Sequence, residues 1–398
     1  MTQSIITIDG IEVGPIFGGT APVYGTNQQA DVLVNQTADG VDLNHLWDEF
    51  RDVLNVWNTE RQSVTDLLCF HTTATGEAVP QNFQTPSFEQ ATEHGVPKGA
   101  LPPGTGLLMG YTFKDYDLAG RFSWKFLRDA DARQVRSVLD SILSADNKLV
   151  TGTVLRTLFS NKRTRNEFTT PVYDLYDGTD PGPPPYLGRS FDVSTSHFMT
   201  TQATQIDSGD IEDAARMIIL KGFGTQADSR ILILANPDDA QYIMEWRAGE
   251  PSRPAEGEET TGPIAKYSYI PSMESPAFIT EHGELVGQQV EGAWGGVKVE
   301  GSYNGWLLVQ SDFVPSGYVA VVASYGPDNP YNCVGVRLHP NTAYQNLRMI
   351  PGAGQYPIIN SYHQRSFGTG IRQRGSAAVI QVTESDTYTP PSTTQIPV

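Results

Sequence analysis

The 398-residue chain is poor in cysteine, poor in positive charge and without a long apolar run. Each shortage excludes something. Cys69 and Cys333 are its two cysteines, far apart in sequence. A secreted disulfide scaffold would carry more, and a zinc site needs closer ligands. Two reduced, buried thiols are therefore expected. Lys and Arg number 27 against 45 Asp and Glu, a net charge of −18. A surface that reads DNA or RNA needs clustered cations, so this balance argues against one, though not against a place beside nucleic acid. The longest apolar runs, Met217–Leu220, Ile231–Ala235 and Val319–Ala323, fall far short of the roughly 20 residues a membrane helix needs. The opening MTQSIITIDGIEVGP has neither a basic region nor an apolar stretch of signal length. A soluble chain, with no membrane association and no secretory signal, is expected.

Catalytic signatures are equally scarce. None of the seven histidines (His45, His71, His94, His197, His282, His339, His363) is followed by another three or four residues on, so no helical zinc pair forms. Neither a phosphate loop nor a GxSxG nucleophile turn occurs. Lys221–Gly224 carries two glycines but follows a helical stretch, so it reads as a helix terminator. Asp177 to Asp180 lacks the calcium-loop register and its distal Glu. Glu258 and Glu259 sit in a polar Pro/Gly-rich loop, where catalytic acids would lack a rigid, desolvated site. No catalytic, cofactor or metal site is expected, and the chain does not read as an enzyme.

What is present points to a folded, strand- and loop-rich protein. Hydrophobic residues make up 39%, charged residues only 18%, and there are 38 Gly and 27 Pro. That is too apolar for disorder and too rich in turn formers for a helical bundle. The length suggests about two or three structural units. No internal repeat is visible.

Residues 1–41 read as an extended arm. Leu43, Leu46, Trp47, Phe50, Val53, Leu54 and Trp57 then mark one face of a helix, with Asp42 as N-cap. From Asp66 to Asp131 the character is strand, polar turn-rich centre, strand: Leu67–Thr73 on one side, Leu107–Phe113 and Phe122–Leu127 on the other. This pattern predicts a long protruding hairpin, reaching on the order of 60 Å, and a loop of that length is seldom idle. Asp131 and Gln134 form a capping box. Val135, Val138, Leu139, Ile142 and Leu143, continued by Val150, Val154, Leu155 and Leu158, predict a helix over 132–160, about 43 Å long, and hence an elongated molecule. Gly152 weakens it by about 1 kcal/mol.

A proline-rich connector, 177–188, follows. Asp210–Leu220 reads as a helix ended by Gly222 and Gly224. Arg230–Ala235 reads as a buried strand, and Asn236-Pro237 opens a further helix. Residues 249–263 read as a mobile acidic loop. Strands are expected at Val297–Tyr303, Leu307–Gln310, Tyr318–Ser324 and Ala377–Thr383, and a helix near Pro340–Met349. A basic cluster, Arg156, Lys162, Arg163 and Arg165, closes the long helix. It either contacts an acidic neighbour or packaged nucleic acid, or complements the helix dipole.

Three stretches carry a resemblance: TPSFEQATEHGVPKGA (85–100), DARQVRSVLDSILSADNKL (131–149) and YHQRSFGTGIRQRGSAAVIQV (362–382). They resemble the extended-loop tip, the spine helix and the late return of tailed-bacteriophage major capsid proteins of the Hong Kong 97 fold. In the third stretch an Arg–Phe–Gly turn is expected before an Ala-rich strand. The wording is closest to siphoviruses infecting actinobacteria, and the likeness spans nearly the whole chain.

The resemblance implies an α+β fold with an N-arm and short helix (1–65), an E-loop hairpin (66–128) and a P-domain with a spine helix (129–200, plus late return strands). An A-domain with a return to the P-domain (201–385) and a tail (386–398) complete it. It implies hexamers and pentamers of this chain closing an icosahedral head around double-stranded DNA, without sequence-specific binding. Portal, scaffolding and possible decoration or minor capsid proteins are the implied partners, with assembly in the host cytoplasm. Phe83, Phe88, Val96 and Lys98 on the hairpin, with Arg156, Lys162, Arg163 and Arg165, are the candidate inter-subunit contacts. No partner for a Lys98 cross-link can be matched, so none is expected. No helical leader precedes the arm, so a separate scaffold is expected and maturation cleavage is not. A strand-rich virion-borne carbohydrate-binding module, using the 6 Trp and 17 Tyr as stacking faces, is the alternative from another class. A vertex protein of the same fold is a narrower one.

Overall fold

A computed structural model describes residues 6–8, 11–13, 36–60, 64–81, 90–96, 106–179, 181–183, 185–187, 189–191, 193–253, 261–274, 289–351 and 358–396. Its first half contains β1 (Ile6–Ile8), β2 (Ile11–Val13), α1 (Leu43–Glu60), α2 (Val64–Leu68), β3 (Cys69–Thr72), β4 (Gly76–Val79), β5 (Leu107–Gly110), β6 (Lys114–Ser123), α3 (Trp124–Asp129) and α4 (Ala132–Phe159). Next come β7 (Thr164–Arg165), β8 (Pro171–Val172), β9 (Phe198–Thr200), α5 (Ser208–Leu220), β10 (Arg230–Ala235) and α6 (Pro237–Glu245). The remainder is strand: β11 (Tyr269–Pro271), β12 (Ala293–Trp294), β13 (Val297–Lys298), β14 (Gly301–Tyr303), β15 (Trp306–Gln310), β16 (Tyr318–Ser324), β17 (Val334–Leu338), β18 (Arg348–Pro351), β19 (Ile358–Ile371) and β20 (Ala377–Gln381). The chain divides into two compact units, one of residues 1–61, 116–145 and 347–365, the other of the rest.

The first unit is built on α1 and the start of α4. Leu43, Leu46 and Phe50 bury one face of α1 against Phe122, Leu127, Val135 and Leu139, and each such side chain contributes about 1.5–3 kcal/mol on leaving water. Asp42 caps α1, its carboxylate accepting from the Asn44 N–H at 2.7 Å. The capping box of α4 forms as expected: Asp131 accepts from the Gln134 N–H at 2.9 Å and Gln134 from the Asp131 N–H at 3.1 Å. Arg136 on α4 pairs with Glu49 on α1 at 2.8 Å. β18 pairs antiparallel with the start of β19, Arg348 facing Gln364 and Pro351 facing Ser361.

The second unit holds a seven-stranded mixed sheet in the order β11-β14-β15-β10-β16-β20-β9. β10 is central and fully apolar after Arg230 because both faces are covered. It pairs parallel with β15 and antiparallel with β16. Ile211, Ala214, Ala215 and Ile218 of α5 and Ala240 and Ile243 of α6 share its core. α5 starts at Ser208 under a capping box of Asp207 and Asp210, and α6 under Asn236 with Pro237 in its first turn. A second, smaller sheet joins the end of β19 to β17 and β17 to β3, the last pair parallel.

Several expectations change. α4 is one helix through Gly152, as the periodicity predicts. Leu67–Thr73 is not the hairpin's outer strand. It is the end of α2 followed by β3, whose partner β17 lies some 260 residues away in sequence; a short apolar run does not reveal its partner. Phe122–Leu127 is not one strand either: Phe122 and Ser123 end β6, and Ser123 turns the chain into α3 by accepting from the Phe126 N–H at 3.1 Å. Val297–Tyr303 splits into β13 and β14. No helix forms at Pro340–Met349. Asn341 closes a single 3-10 turn by accepting from Ala343, Asn346 takes a positive φ of 61°, and β18 follows. Most of the 249–263 loop's acidic centre lies outside the described residues, and its ends are bridged at Pro251 and Ile264. Both cysteines are free and buried, as expected.

Candidate inter-subunit surfaces

The hairpin is the first of these surfaces. Its stem is β4 against β5, antiparallel, with Glu77 opposite Met109 and Val79 opposite Leu107. The stem rests on a track of glycines in the second unit. A β-carbon on Gly335 would stand 2.3 Å from the Tyr111 ring, and one on Gly370 2.6 Å from the Gly110 carbonyl. The glycines of SFGTGI therefore do not make the expected Arg–Phe–Gly turn. β19 runs straight through them to Ile371, the turn comes at Arg372–Ser376, and the missing side chains let residues 110–113 pass over the strand. Tyr111 is fully buried there, edge-on to Phe70 with ring centroids 6.3 Å apart. Burial pushes its phenol well above the ordinary tyrosine range, so it stays a donor.

Polar groups lock the first strand of the stem. Glu77 accepts from the Tyr111 hydroxyl at 3.1 Å and from Arg372 Nη2 at 3.1 Å. Arg372 lies 4.8 Å over the Phe70 ring and also donates to the Pro330 carbonyl. Gln81, 2% exposed, donates to the Arg372 carbonyl at 3.1 Å and accepts from the Arg374 N–H at 3.2 Å. Further out, residues 90–96 are exposed throughout, and Val96 is 92% exposed. Phe83, Phe88 and Lys98 lie outside the described residues.

The four basic residues, Arg156 in the last turn of α4 and the other three just beyond it, are held differently. Arg156 donates to the carbonyls of Ile396 (2.8 Å) and Thr393 (3.1 Å), stapling the C-terminal tail. Arg163 pairs with Asp174 at 3.3 Å and Asp177 at 2.7 Å. Arg165 donates to the Thr169 carbonyl at 2.9 Å. Lys162 is exposed. Beneath them Arg374, 1% exposed, donates to the Asp174 carbonyl at 3.0 Å, and burial raises the Asp174 carboxyl above its usual range.

In the first unit, His45, Asp48, Glu49, Asp52, Val53, Val56 and Trp57 of α1 line an open groove of about 840 Å³. Among the described residues no helix is long and apolar enough to cross a membrane, and no His, Cys, Asp and Glu cluster could hold a metal ion. Sequence reasoning placed the hairpin's second strand at Leu107 but not its first, and it missed the clamp, because Glu77, Gln81 and Arg372 are unremarkable singly. The one available signal was the spacing of Gly368 and Gly370 in a strand-like stretch, which marks a close backbone approach.

The chain matches no protein-family model and no curated protein. Among solved structures it is similar to one titled Mycobacterium phage Patience, with 38% identity and a TM-score of 0.65, covering 94% of this chain and 97% of that one. A capsid of a native GTA particle matches at 10% identity and a TM-score of 0.40, over 81% of this chain and 91% of that one. The holo-SrpI encapsulin of Synechococcus elongatus PCC 7942 matches at 11% identity and 0.39, over 87% and 98%. At that distance the last two carry no weight. The first, joined to this α+β architecture, decides the assignment: the chain belongs to the tailed-bacteriophage major capsid proteins of the Hong Kong 97 fold.

Proposed function

We propose that this capsid protein assembles with copies of itself into hexamers and pentamers that close an icosahedral head around double-stranded DNA. The observation that carries this reading is the hairpin. Its stem is locked into the second unit, while residues 90–96 beyond it are exposed throughout and Val96 is almost fully bare. This stretch is the part of the hairpin left available to a second copy of the chain. Phe83, Phe88, Val96 and Lys98 are the hairpin's proposed contacts, and Arg156, Lys162, Arg163 and Arg165 those at the end of α4, where the last three are exposed. In this reading residues 1–65 serve as arm and short helix, 66–128 as the E-loop, 129–200 with late strands as the P-domain and 201–385 as the A-domain. The protein's part is structural rather than catalytic.

A shell must bound DNA without gripping it. A net charge of −18 suits that, since a cationic lining would release counterions and adsorb the genome. Portal, scaffolding and decoration or minor capsid proteins are the further partners, with assembly in the host cytoplasm. The test is size-exclusion chromatography and negative-stain electron microscopy of the protein coexpressed with its neighbouring phage genes. Closed shells or six- and five-fold rings support the reading. A compact monomer that stays monomeric with scaffold present overturns it.

A further inference from the structure

The hairpin stem is held by two kinds of contact. The end of β5 and the residues after it are held by shape: Gly368 and Gly370 leave no room for a side chain between the crossing backbones, Gly335 none beside the Tyr111 ring, and Gly110 none beside the Pro171 carbonyl. β4 is held by chemistry. Glu77 reaches the Arg372 guanidinium and the Tyr111 hydroxyl, and the Gln81 amide reads the backbone of Arg372 and Arg374 as acceptor and donor at once. Both polar clamps end on the three-residue stretch 372–374. The ion pair is shielded, its side chains 19% and 24% exposed, so it is worth more than a surface pair. A two-stranded ribbon is marginal alone and takes its direction from what it packs against.

We propose that Glu77 and Gln81 are positioning residues for assembly: they fix the direction in which the hairpin leaves the second unit, and so which surface of a second copy of this chain it meets. The inference rests on the capsid reading above. It does not need the clamp for folding, because the core of the second unit lies in the seven-stranded sheet, whose members do not include Glu77 or Gln81. Loosening the clamp leaves a folded subunit with a misdirected hairpin. The functional loss then exceeds the stability loss.

The test uses full-length protein carrying Glu77→Gln, Gln81→Ala or the pair Glu77→Gln with Arg372→Gln. Glu384→Gln, exposed after β20 and outside the hairpin, is the control. Hydrogen exchange over residues 76–81 and 107–111 reads the clamp itself, and electron microscopy with light scattering reads assembly. We expect at least tenfold faster exchange in the stem and at least a tenfold lower yield of closed shells, or shells of mixed diameter. Near-native melting, no further loss in the pair beyond Glu77→Gln, and a wild-type-like control complete the expectation. Faster exchange with shells of normal yield and diameter overturns the proposal, since the clamp is then merely structural. Unchanged exchange overturns it as well. If Glu77→Gln does not fold, Gln81→Ala decides by the same criteria. Failure of the wild type to form any particle counts instead against the capsid reading, and the exchange rates still judge the clamp.

Discussion

Gly368 and Thr112 lie so close that a β-carbon on Gly368 would stand 1.7 Å from the Thr112 carbonyl oxygen. The obstacle is backbone, held by the Thr112 N–H donating to the Thr369 carbonyl at 3.0 Å and the Thr369 N–H donating to the Thr112 hydroxyl at 3.0 Å. Gly368→Ala must therefore separate two strands rather than turn a side chain. We expect a loss of about 3 kcal/mol, the upper range for overpacking, read from urea unfolding. A loss under about 1 kcal/mol would show that the crossing is looser than the structure has it.

Much of this architecture was readable from residues 42–159, and the reason is local. The α1 and α4 periodicities, the Asp42 cap and the Asp131–Gln134 box are set by neighbours two to four positions away. β3 failed because its partner is β17, and no local pattern records so distant a pairing. Pro340–Met349 failed because Asn341 and Asn346 make turns that apolar spacing does not register. Of the candidate contacts, Val96 is exposed, and Arg156 and Arg163 have partners within the chain. Charge alone does not say whether a cation faces a neighbour or its own tail.

The N-terminus of α5 makes stability depend on pH. Burial and the neighbouring Asp207 carboxylate push Asp210 up to about 8. A carboxyl raised above its unfolded value of about 3.9 keeps its proton longer in the native state. The stabilising contribution is thus complete below about pH 4 and is lost as pH rises towards 8. His197, fully buried and held below its ordinary range by burial, opposes this trend up to about pH 6.5. Comparison with Asp210→Asn isolates the carboxyl, since the amide can still accept from the Asp207 N–H that Asp210 holds at 3.2 Å. We expect the variant's melting temperature to rise relative to wild type between pH 5 and pH 8. A constant difference would contradict this origin.

Arg156 ties the end of the chain to α4. With Ile396 1% exposed and the Tyr388 hydroxyl donating to the Phe159 carbonyl at 2.8 Å, the tail is part of the second unit. Arg156→Ala removes both charged donors to the tail carbonyls and should cost about 1–3 kcal/mol. Limited proteolysis should then cleave within residues 386–396 while the rest of the unit stays intact. Equal resistance in variant and wild type would mean that Ile396 and Tyr388 suffice.

Lys98 should remain a free amine in the particle, because no acceptor for it can be matched in the sequence. Denaturing gels of purified heads should show one band at the mass of the chain, and a ladder of multimers resistant to boiling would contradict that.

The central claim is that this chain builds a closed shell through its own copies. Electron microscopy of particles from cells coexpressing the protein with its phage neighbours tests it most directly. The account predicts icosahedral shells in which each subunit's hairpin crosses onto an adjacent copy. Soluble subunits that remain single with scaffold present would contradict it.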